Sequence, residues 1–152
     1  MLLLLTNQAE AFMFSKNVYC SPVQGVIQLH GKPLPGLQIT RTLISGGFKG
    51  RRYQDTTKTD ANGKFELPEV SNRTFFRPDL LSANPRVAQT ISIEYQNRKT
   101  LIWAHQKQDF TLGSESLNGN ANIEIECDLA EIEETGGTPI IRCNSNERKI
   151  DE

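Results

Sequence analysis

The segment from Val23 to Pro68 constrains the fold more than any other part of this sequence. Short runs of alternating apolar and polar residues are separated by turn residues, which is typical of antiparallel sheets. The run Val23 to His30 precedes a connection, Gly31 to Gly36, whose two prolines fix φ and remove backbone donors. The sequence Asp60 to Gly63 predicts a tight turn, because Asp bonds back to the backbone and Asn-Gly tolerates positive φ.

The second half of the chain shows the same alternation. A hairpin is predicted from Thr90 to His105, with a turn at Asn97-Arg98 and a second arm that is apolar on both faces and therefore an inner strand. Asn122 to Leu129 reads as a half-buried strand. We count seven or eight strands and no helix longer than two turns, which predicts an all-β fold, an antiparallel β-sandwich.

The length of 152 residues suits one domain. We expect an N-terminal extension over residues 1–20, a single sandwich domain over residues 21–143, and a flexible C-terminal tail over residues 144–152. The run from Leu2 to Leu5 is much shorter than a membrane span. No Lys or Arg precedes Lys16, so a signal peptide is not favoured. A cytoplasmic location is therefore favoured, and a periplasmic location is expected only if the run from Leu2 to Leu5 acts as a signal.

The charge of the chain is nearly balanced, with 17 basic and 18 acidic residues. Binding to nucleic acid normally requires a basic surface, so nucleic acid is not expected as a partner. The same balance gives no reason to expect attraction to an anionic membrane.

Three cysteines are present, and none lies in a C-x-x-C spacing, so no metal site is expected. Cys127 and Cys143 each end an apolar, strand-like run. A disulfide between them is possible if their strands are neighbours. The alternative is two small buried thiols in a reducing cytosol.

About a third of the chain, within Val23 to Pro68, resembles a known family. Val23-Gln24-Gly25-Val26, the turn from Gly31 to Ile39, and the hairpin from Thr57 to Pro68 are similar to carboxypeptidase regulatory-like domains, which share a transthyretin-like sandwich. The resemblance implies the same sandwich here. It implies no peptidase activity, because the catalytic zinc domain is absent. The Pro-Pro-Gly-x-Tyr segment usual in that family is also missing.

The C-terminal two-thirds of the chain resembles a group of small stand-alone bacterial proteins to which no activity is assigned. In that group a hairpin carrying a Trp, here Trp103, precedes a Cys-Asp-Leu, here Cys127 to Leu129, and a late Cys, here Cys143. Some transthyretin-like domains of this kind occur beside type VI secretion components, as adaptors or effector partners. The resemblance therefore implies a protein-binding role in a bacterial secretion or envelope system.

Residues able to carry chemistry are few. His30 and His105 are the two histidines, and neither lies in a ligand spacing; His30 reads as a surface residue and His105 as a packed one. No Gly-x-Ser-x-Gly elbow is present. We therefore expect no catalytic, cofactor-binding or metal-binding residues, and we expect that the chain is not an enzyme.

Two groups of residues are candidates for a partner surface. The first lies in the irregular segment from Glu69 to Arg86, where a helical turn is predicted around Pro78 to Ser82. The second is an exposed strand end. The candidates are Phe75, Phe76, Leu80 and Leu81, which either cap the core or contact a partner, and Arg51, Arg52 and Tyr53.

The sequence therefore favours a non-catalytic β-sandwich that acts by protein–protein contact. A carbohydrate-binding module is the first alternative, because similar sandwiches bind glycans through exposed aromatic side chains. A hydrolase without a recognisable motif is the second.

Overall fold

The computed structural model of the chain describes residues 15–74, 86–117, 119–135, 138–141 and 143–146. These residues form an all-β fold of thirteen strands, with two single 3-10 turns, Lys49–Arg51 and Leu129–Glu131. The count exceeds the predicted seven or eight, because several strands are too short to show an alternating pattern. The strands are β1 (Ser15–Cys20), β2 (Val23–Leu29), β3 (Lys32–Pro33), β4 (Gln38–Ile44), β5 (Arg52–Lys58), β6 (Lys64–Leu67), β7 (Val70–Thr74), β8 (Val87–Tyr95), β9 (Arg98–Lys107), β10 (Ile123–Asp128), β11 (Ile132–Thr135), β12 (Thr138–Ile141) and β13 (Asn144–Ser145).

Two sheets and one ribbon make up the fold. A six-stranded sheet has the order β11-β12-β9-β8-β4-β5, and a five-stranded sheet has the order β13-β10-β2-β3, with β6 also paired to β2. β1 and β7 form a separate antiparallel ribbon. The sheets are mixed rather than purely antiparallel as predicted, because β10 runs parallel to β2 and β12 runs parallel to β9.

Apolar residues from both sheets and the ribbon form one core. In β10, Ile123, Ile125 and Cys127 are buried and alternate with exposed Glu124 and Glu126, as predicted. In β9 the second arm of the hairpin is indeed an inner strand, flanked by β8 and β12. Other buried members include Ile27, Ile39, Leu43, Phe65, Leu67, Ile91, Ile93 and Ile141.

Alternation in the first half predicts one apolar face formed by Val26, Leu37, Ile39, Phe65 and Leu67. Ile39, Phe65 and Leu67 are buried, but Val26 and Leu37 are only half-buried. Val23 and Ile27 are the buried residues of β2. Because successive side chains of a strand point to opposite faces, Val26 cannot share a face with both of them.

The turn from Asp60 to Gly63 has the predicted chemistry. The Asp60 carboxylate accepts hydrogen bonds from the N–H groups of Asn62 (2.8 Å) and Lys64 (2.9 Å). Gly63 has φ +71°, and a Cβ there would lie 2.4 Å from the carbonyl oxygen of Ile27. Only glycine fits this position.

The hairpin between β8 and β9 turns one residue earlier than predicted. Tyr95 pairs with Arg98, so Gln96 and Asn97 form the two-residue turn. Their φ values of 51° and 60° are those of the primed turns that match strand twist.

Residues at both predicted boundaries belong to strands. Residues 15–20, assigned above to an extension, form β1, and Val18, Tyr19 and Cys20 are buried. β7 lies within the segment predicted to be irregular, and it pairs with β1. Asn144–Ser145, assigned to the flexible tail, pair with β10. Each of these strands is short and is ordered by its partner rather than by its own pattern.

Candidate functional site

The β5 edge of the six-stranded sheet is the strongest candidate surface in the described part of the chain. Its last strand, β5, is seven residues long and pairs with β4 along its whole length. No strand of the described residues pairs with the other side of β5. A strand at such an edge presents backbone groups that a strand from another chain can pair with.

The register shows which backbone groups of β5 are free. At one end the N–H of Ser45 donates to the carbonyl of Arg51 (3.1 Å), and at the other the N–H of Thr59 donates to the carbonyl of Leu37 (3.0 Å). Hydrogen-bonded pairs of an antiparallel ladder recur at every second residue. The odd-numbered residues of β5 therefore bond to β4. The peptide N–H and C=O groups of Arg52, Gln54, Thr56 and Lys58 point away from the sheet.

The side chains of β5 separate into two faces. Tyr53, Asp55 and Thr57 are half-buried, whereas the even-numbered residues are exposed. The exposed set contains two cations and two neutral polar groups and no carboxylate. Within the described ranges no ion pair involves Arg51, Arg52 or Lys58, and Arg52 donates a hydrogen bond to the neighbouring amide of Gln54 (2.9 Å).

A loop rich in glycine leads into β5. Gly50 and Arg51 have positive φ values of 73° and 60°, which turns the chain sharply into the strand. The loop is anchored by Phe48, whose ring lies 4.4 Å from that of Tyr19 and 5.7 Å from that of Tyr53. Tyr53 is thus held by packing, while Arg51 and Arg52 remain exposed.

Asp55 ties the edge strand to the interior. Its carboxylate accepts two hydrogen bonds from the fully buried side chain of Arg41, from Nε (2.9 Å) and Nη2 (2.5 Å). Burial alone would lower the pKa of Arg41, but the hydrogen bonding of Arg41 to the Asp55 carboxylate and nearby charges outweigh it and raise that pKa. The thiol of Cys20 is also buried, and burial raises its pKa to about 12, so it stays neutral.

A second buried ion pair was not foreseen from the sequence. Nζ of Lys107 lies 2.8 Å from Oε2 of Glu115, and both side chains are fully buried. Glu115 also accepts hydrogen bonds from the Ser21 hydroxyl (2.7 Å), the Ser21 N–H (3.1 Å) and the Gln89 amide (3.0 Å). Burial alone would raise the pKa of Glu115, but Lys107 and these donors lower it.

This ion pair holds the loop that follows β9. Nζ of Lys107 donates to the carbonyl of Thr111 (2.6 Å) and the hydroxyl of Ser114 (2.8 Å). The N–H of Gly113 donates to the Ser21 hydroxyl (2.8 Å), which itself donates to Glu115. Because the side chains of Lys107 and Glu115 are fully buried and paired with each other, the ion pair stabilises the loop and presents no surface to a ligand. A Glu in a loop carries no sequence signal for such burial.

A shallow groove of about 570 Å³ lies on the five-stranded sheet. Its lining includes Glu66, Glu124 and Glu126, with Lys64 beside them, and Asn144–Ser145 form one side. Gln24 donates a hydrogen bond to Glu124 (3.2 Å). These side chains are exposed, and no buried polar group of the described residues points into the groove, so the carboxylates form a solvated face.

The predicted disulfide residues are bonded in the structure. Cys127, at the end of β10, is joined to Cys143, and their Cα atoms are 4.5 Å apart. The pairing is possible because residues 143–146 run back along β10. A thiol count on the purified protein is the direct test of this bond.

The Cys-Asp-Leu sequence has a structural role at each position. Beside the disulfide residue Cys127, the Asp128 carboxylate accepts hydrogen bonds from the N–H groups of His30 (3.0 Å) and Gly31 (2.8 Å) and from that of Ala130 (3.0 Å). Hydrogen bonds from Ala130 and then Gly31 lower the pKa of Asp128. Leu129 is buried in the core.

The other predicted residues are placed apart from one another. His30 is exposed at a turn, and His105 is half-buried and stacked on Trp103, with ring centroids 5.7 Å apart. Phe75, Phe76, Leu80, Leu81 and the helical turn predicted around them lie outside the described residues.

The described residues contain no group of three or more His, Cys, Asp or Glu side chains suited to a metal ion. None of their helices is long and apolar enough to cross a membrane. The large apolar side chains that are exposed, Ile44, Leu112 and Leu117, are aliphatic, so this part of the chain shows no flat row of aromatic rings for a sugar.

Comparison with known proteins identifies a family. The model of the family described as "Domain of unknown function (DUF6795)" matches residues 23–132, which is more than half of the chain. The matched range includes β5 and the Lys107–Glu115 pair but not Cys143. The likeness to carboxypeptidase regulatory-like domains remains a prediction.

Other comparisons are much weaker. No curated protein sequence matches the chain. A crystal structure of 3-chlorocatechol 1,2-dioxygenase from Rhodococcus opacus 1CP is similar with a TM-score of 0.30 and 13% identity. The aligned region covers 88% of this chain and 61% of that one, so this chain spans about three fifths of the enzyme's length. A similarity at this level carries no argument.

Proposed function

We propose that this chain, which belongs to the DUF6795 family, is a non-catalytic protein-binding module that accepts an extended segment of a partner as an added strand on β5. The observation that carries the proposal is the edge itself. It offers four residues with outward backbone groups and ends in two cations that form no ion pair with the described part of the chain. Strand addition uses such main-chain groups for affinity and side chains for specificity.

The chemistry of the interior supports a binding role over catalysis. Ser21 is a hydroxyl beside a carboxylate and a lysine, which is a set of groups that enzymes use. Here its oxygen already accepts from Gly113 and donates to Glu115, and the residue is fully buried. A substrate would have to displace the loop that this cluster holds. We therefore assign the cluster a role in stabilising the fold.

The family resemblance supports a cellular role for this chain, and the disulfide supports a compartment. Carboxypeptidase regulatory-like domains are accessory domains, and by analogy this chain acts as an adaptor or effector partner in a bacterial secretion or envelope system. Disulfides persist in oxidising compartments such as the periplasm. The Cys127–Cys143 bond therefore favours a protein that works outside the reducing cytosol.

Site-specific photo-cross-linking in the native host tests the proposed surface. A photoreactive residue at Gln54, an outward position of β5, is expected to capture a distinct partner protein. The matched control places the same residue at Glu124, which is exposed on the five-stranded sheet, and is expected to capture little.

A proline variant tests the backbone contact. Thr56→Pro removes one outward N–H and no bond to β4, and proline is tolerated on edge strands for this reason. The Gln54 cross-link should disappear in this variant while the protein remains folded. Capture that is equal at Gln54 and Glu124, or that survives Thr56→Pro, would rule out strand addition at β5.

A further inference from the structure

We infer that the partner strand carries acidic side chains at two positions six residues apart, and that the same cations of β5 keep a second copy of this chain off the edge. The inference rests on the proposed function and specifies the chemistry of its partner. It follows from the register, exposure and charge of β5.

The spacing follows from the geometry of a strand. Arg52 and Lys58 are the two ends of β5, and both are exposed on the same face because side chains alternate. Residues directly opposite them on an added strand are also six positions apart, whichever direction that strand runs. Gln54 and Thr56 lie between and are neutral, so only the ends of the added strand are selected for charge.

Within the described residues, neither of these cations forms an ion pair. Asp55 lies on the other face and is committed to Arg41. Asp60, two residues beyond Lys58, accepts hydrogen bonds within its own turn. Across the sheet, the acid in register with Lys58 is Glu94, which lies two strands away with Gln38 of β4 between them. A carboxylate on the partner would therefore gain an opposite charge without displacing an existing one.

A second copy of this chain would bring cations, rather than carboxylates, to the edge strand β5. If two β5 strands paired antiparallel along their full length, Arg52 of each copy would lie opposite Lys58 of the other. Like charges directly opposite one another destabilise a sheet, and cations on edge strands are a common protection against self-association. Arg52 and Lys58 therefore disfavour the pairing of β5 with a second copy and favour its pairing with an acidic strand.

Binding of synthetic peptides to the full chain tests the inference. The probes are seven-residue peptides of strand-forming residues with Glu at the first and seventh positions, and matched peptides with Gln or Lys there. The Glu peptide should bind about tenfold more tightly than the Gln peptide, from two favourable cross-strand pairs. The Lys peptide should bind least, and raising the salt should shrink the differences.

Two variants complete the test. In the double variant Arg52→Gln and Lys58→Gln the preference for Glu should disappear, and sedimentation should show self-association that the parent chain lacks. Lys32→Gln with Lys64→Gln is the control of equal charge change, since both lysines are exposed on strands of the five-stranded sheet, and it should change neither property.

The outcomes separate the inference from the proposed function. If all three peptides bind equally and Thr56→Pro abolishes their binding, strand addition stands and the acidic preference fails. If none of them binds, or if Thr56→Pro has no effect, both fail. A polyanionic oligonucleotide that binds more tightly than the Glu peptide and requires Arg52 and Lys58 would overturn the assignment to a protein segment.

Discussion

Cations inside the six-stranded sheet and cations on its edge differ in what surrounds them. Arg41 and Lys107 are fully buried, and each lies against a carboxylate, Asp55 or Glu115. Arg52, on the neighbouring strand β5, is exposed and has no ion pair within the described ranges. The buried cations are committed to holding the fold, whereas the edge cations are available to a partner.

Burial determines how much each charged side chain contributes to the free energy of unfolding. Moving a charge out of water is costly, so removing one member of a buried pair leaves an uncompensated charge and costs about 3–5 kcal/mol. An exposed charge stays hydrated, and changing it alters the free energy of unfolding by about 0.5 kcal/mol or less. The comparison predicts that interior variants change stability and that edge variants change binding.

The largest effect on the free energy of unfolding is expected for Glu115→Ala, which removes the carboxylate of a buried ion pair. It leaves Lys107 buried without its carboxylate and removes one hydrogen-bond acceptor from Ser21 and one from Gln89. We expect a loss of about 3–5 kcal/mol in the free energy of unfolding by urea. Adding Lys107→Met to this variant should restore part of the loss. A change below about 1 kcal/mol would contradict the assignment of this pair to stability.

Removing the disulfide gives a second expected loss of stability, with which the loss in Glu115→Ala can be compared. This bond closes a loop with a sequence separation of 16, for which chain entropy predicts about 3 kcal/mol. Replacing both Cys127 and Cys143 with Ser should lower the free energy of unfolding by about that amount. The denatured, unreduced protein should react with a thiol reagent at Cys20 only, and three reactive thiols would show that the bond is absent.

Acid should weaken the interior pair but not the edge. The pKa of Glu115 in the folded chain lies below its ordinary value of 4.5. Its contribution to stability is therefore fully present above about pH 4.5 and is lost as pH falls through the lower, folded-state pKa. Glu115→Gln should flatten this part of the stability profile measured by urea unfolding between pH 3 and 6, whereas Arg52→Gln should leave its shape unchanged. An unchanged slope in Glu115→Gln would contradict this.

The smallest effect on stability is expected at the edge. Arg52→Glu reverses an exposed charge with no ion pair, so the free energy of unfolding should change by about 0.5 kcal/mol or less. Capture of the partner at Gln54 should nevertheless fall sharply. Lys64→Glu, a matched reversal on the other sheet, should leave capture intact. A large loss of stability in Arg52→Glu would remove the distinction between the two groups of cations.

Local patterns account for the part of the fold that could be predicted. The alternation of Ile and Glu in β10 and the Asp60–Gly63 turn depend on neighbours within a few residues, and both were predicted correctly. Arg51 and Arg52 were predicted to be an exposed strand end, and they are exposed. That β5 is an edge was not predictable, because its position depends on which strands pair.

Alternation along a strand and hydrogen bonding within a turn are local, so the sequence by itself determined the all-β class, the main turns and the exposed faces of the strands. The tertiary structure decided which strands are neighbours, and with them the parallel pairing of β2 with β10 and the free edge at β5. It also decided that Glu115 is buried against Ser21, 94 residues earlier in the chain. A charge is tolerated inside the fold only when distant partners surround it, and no local pattern records where those partners meet.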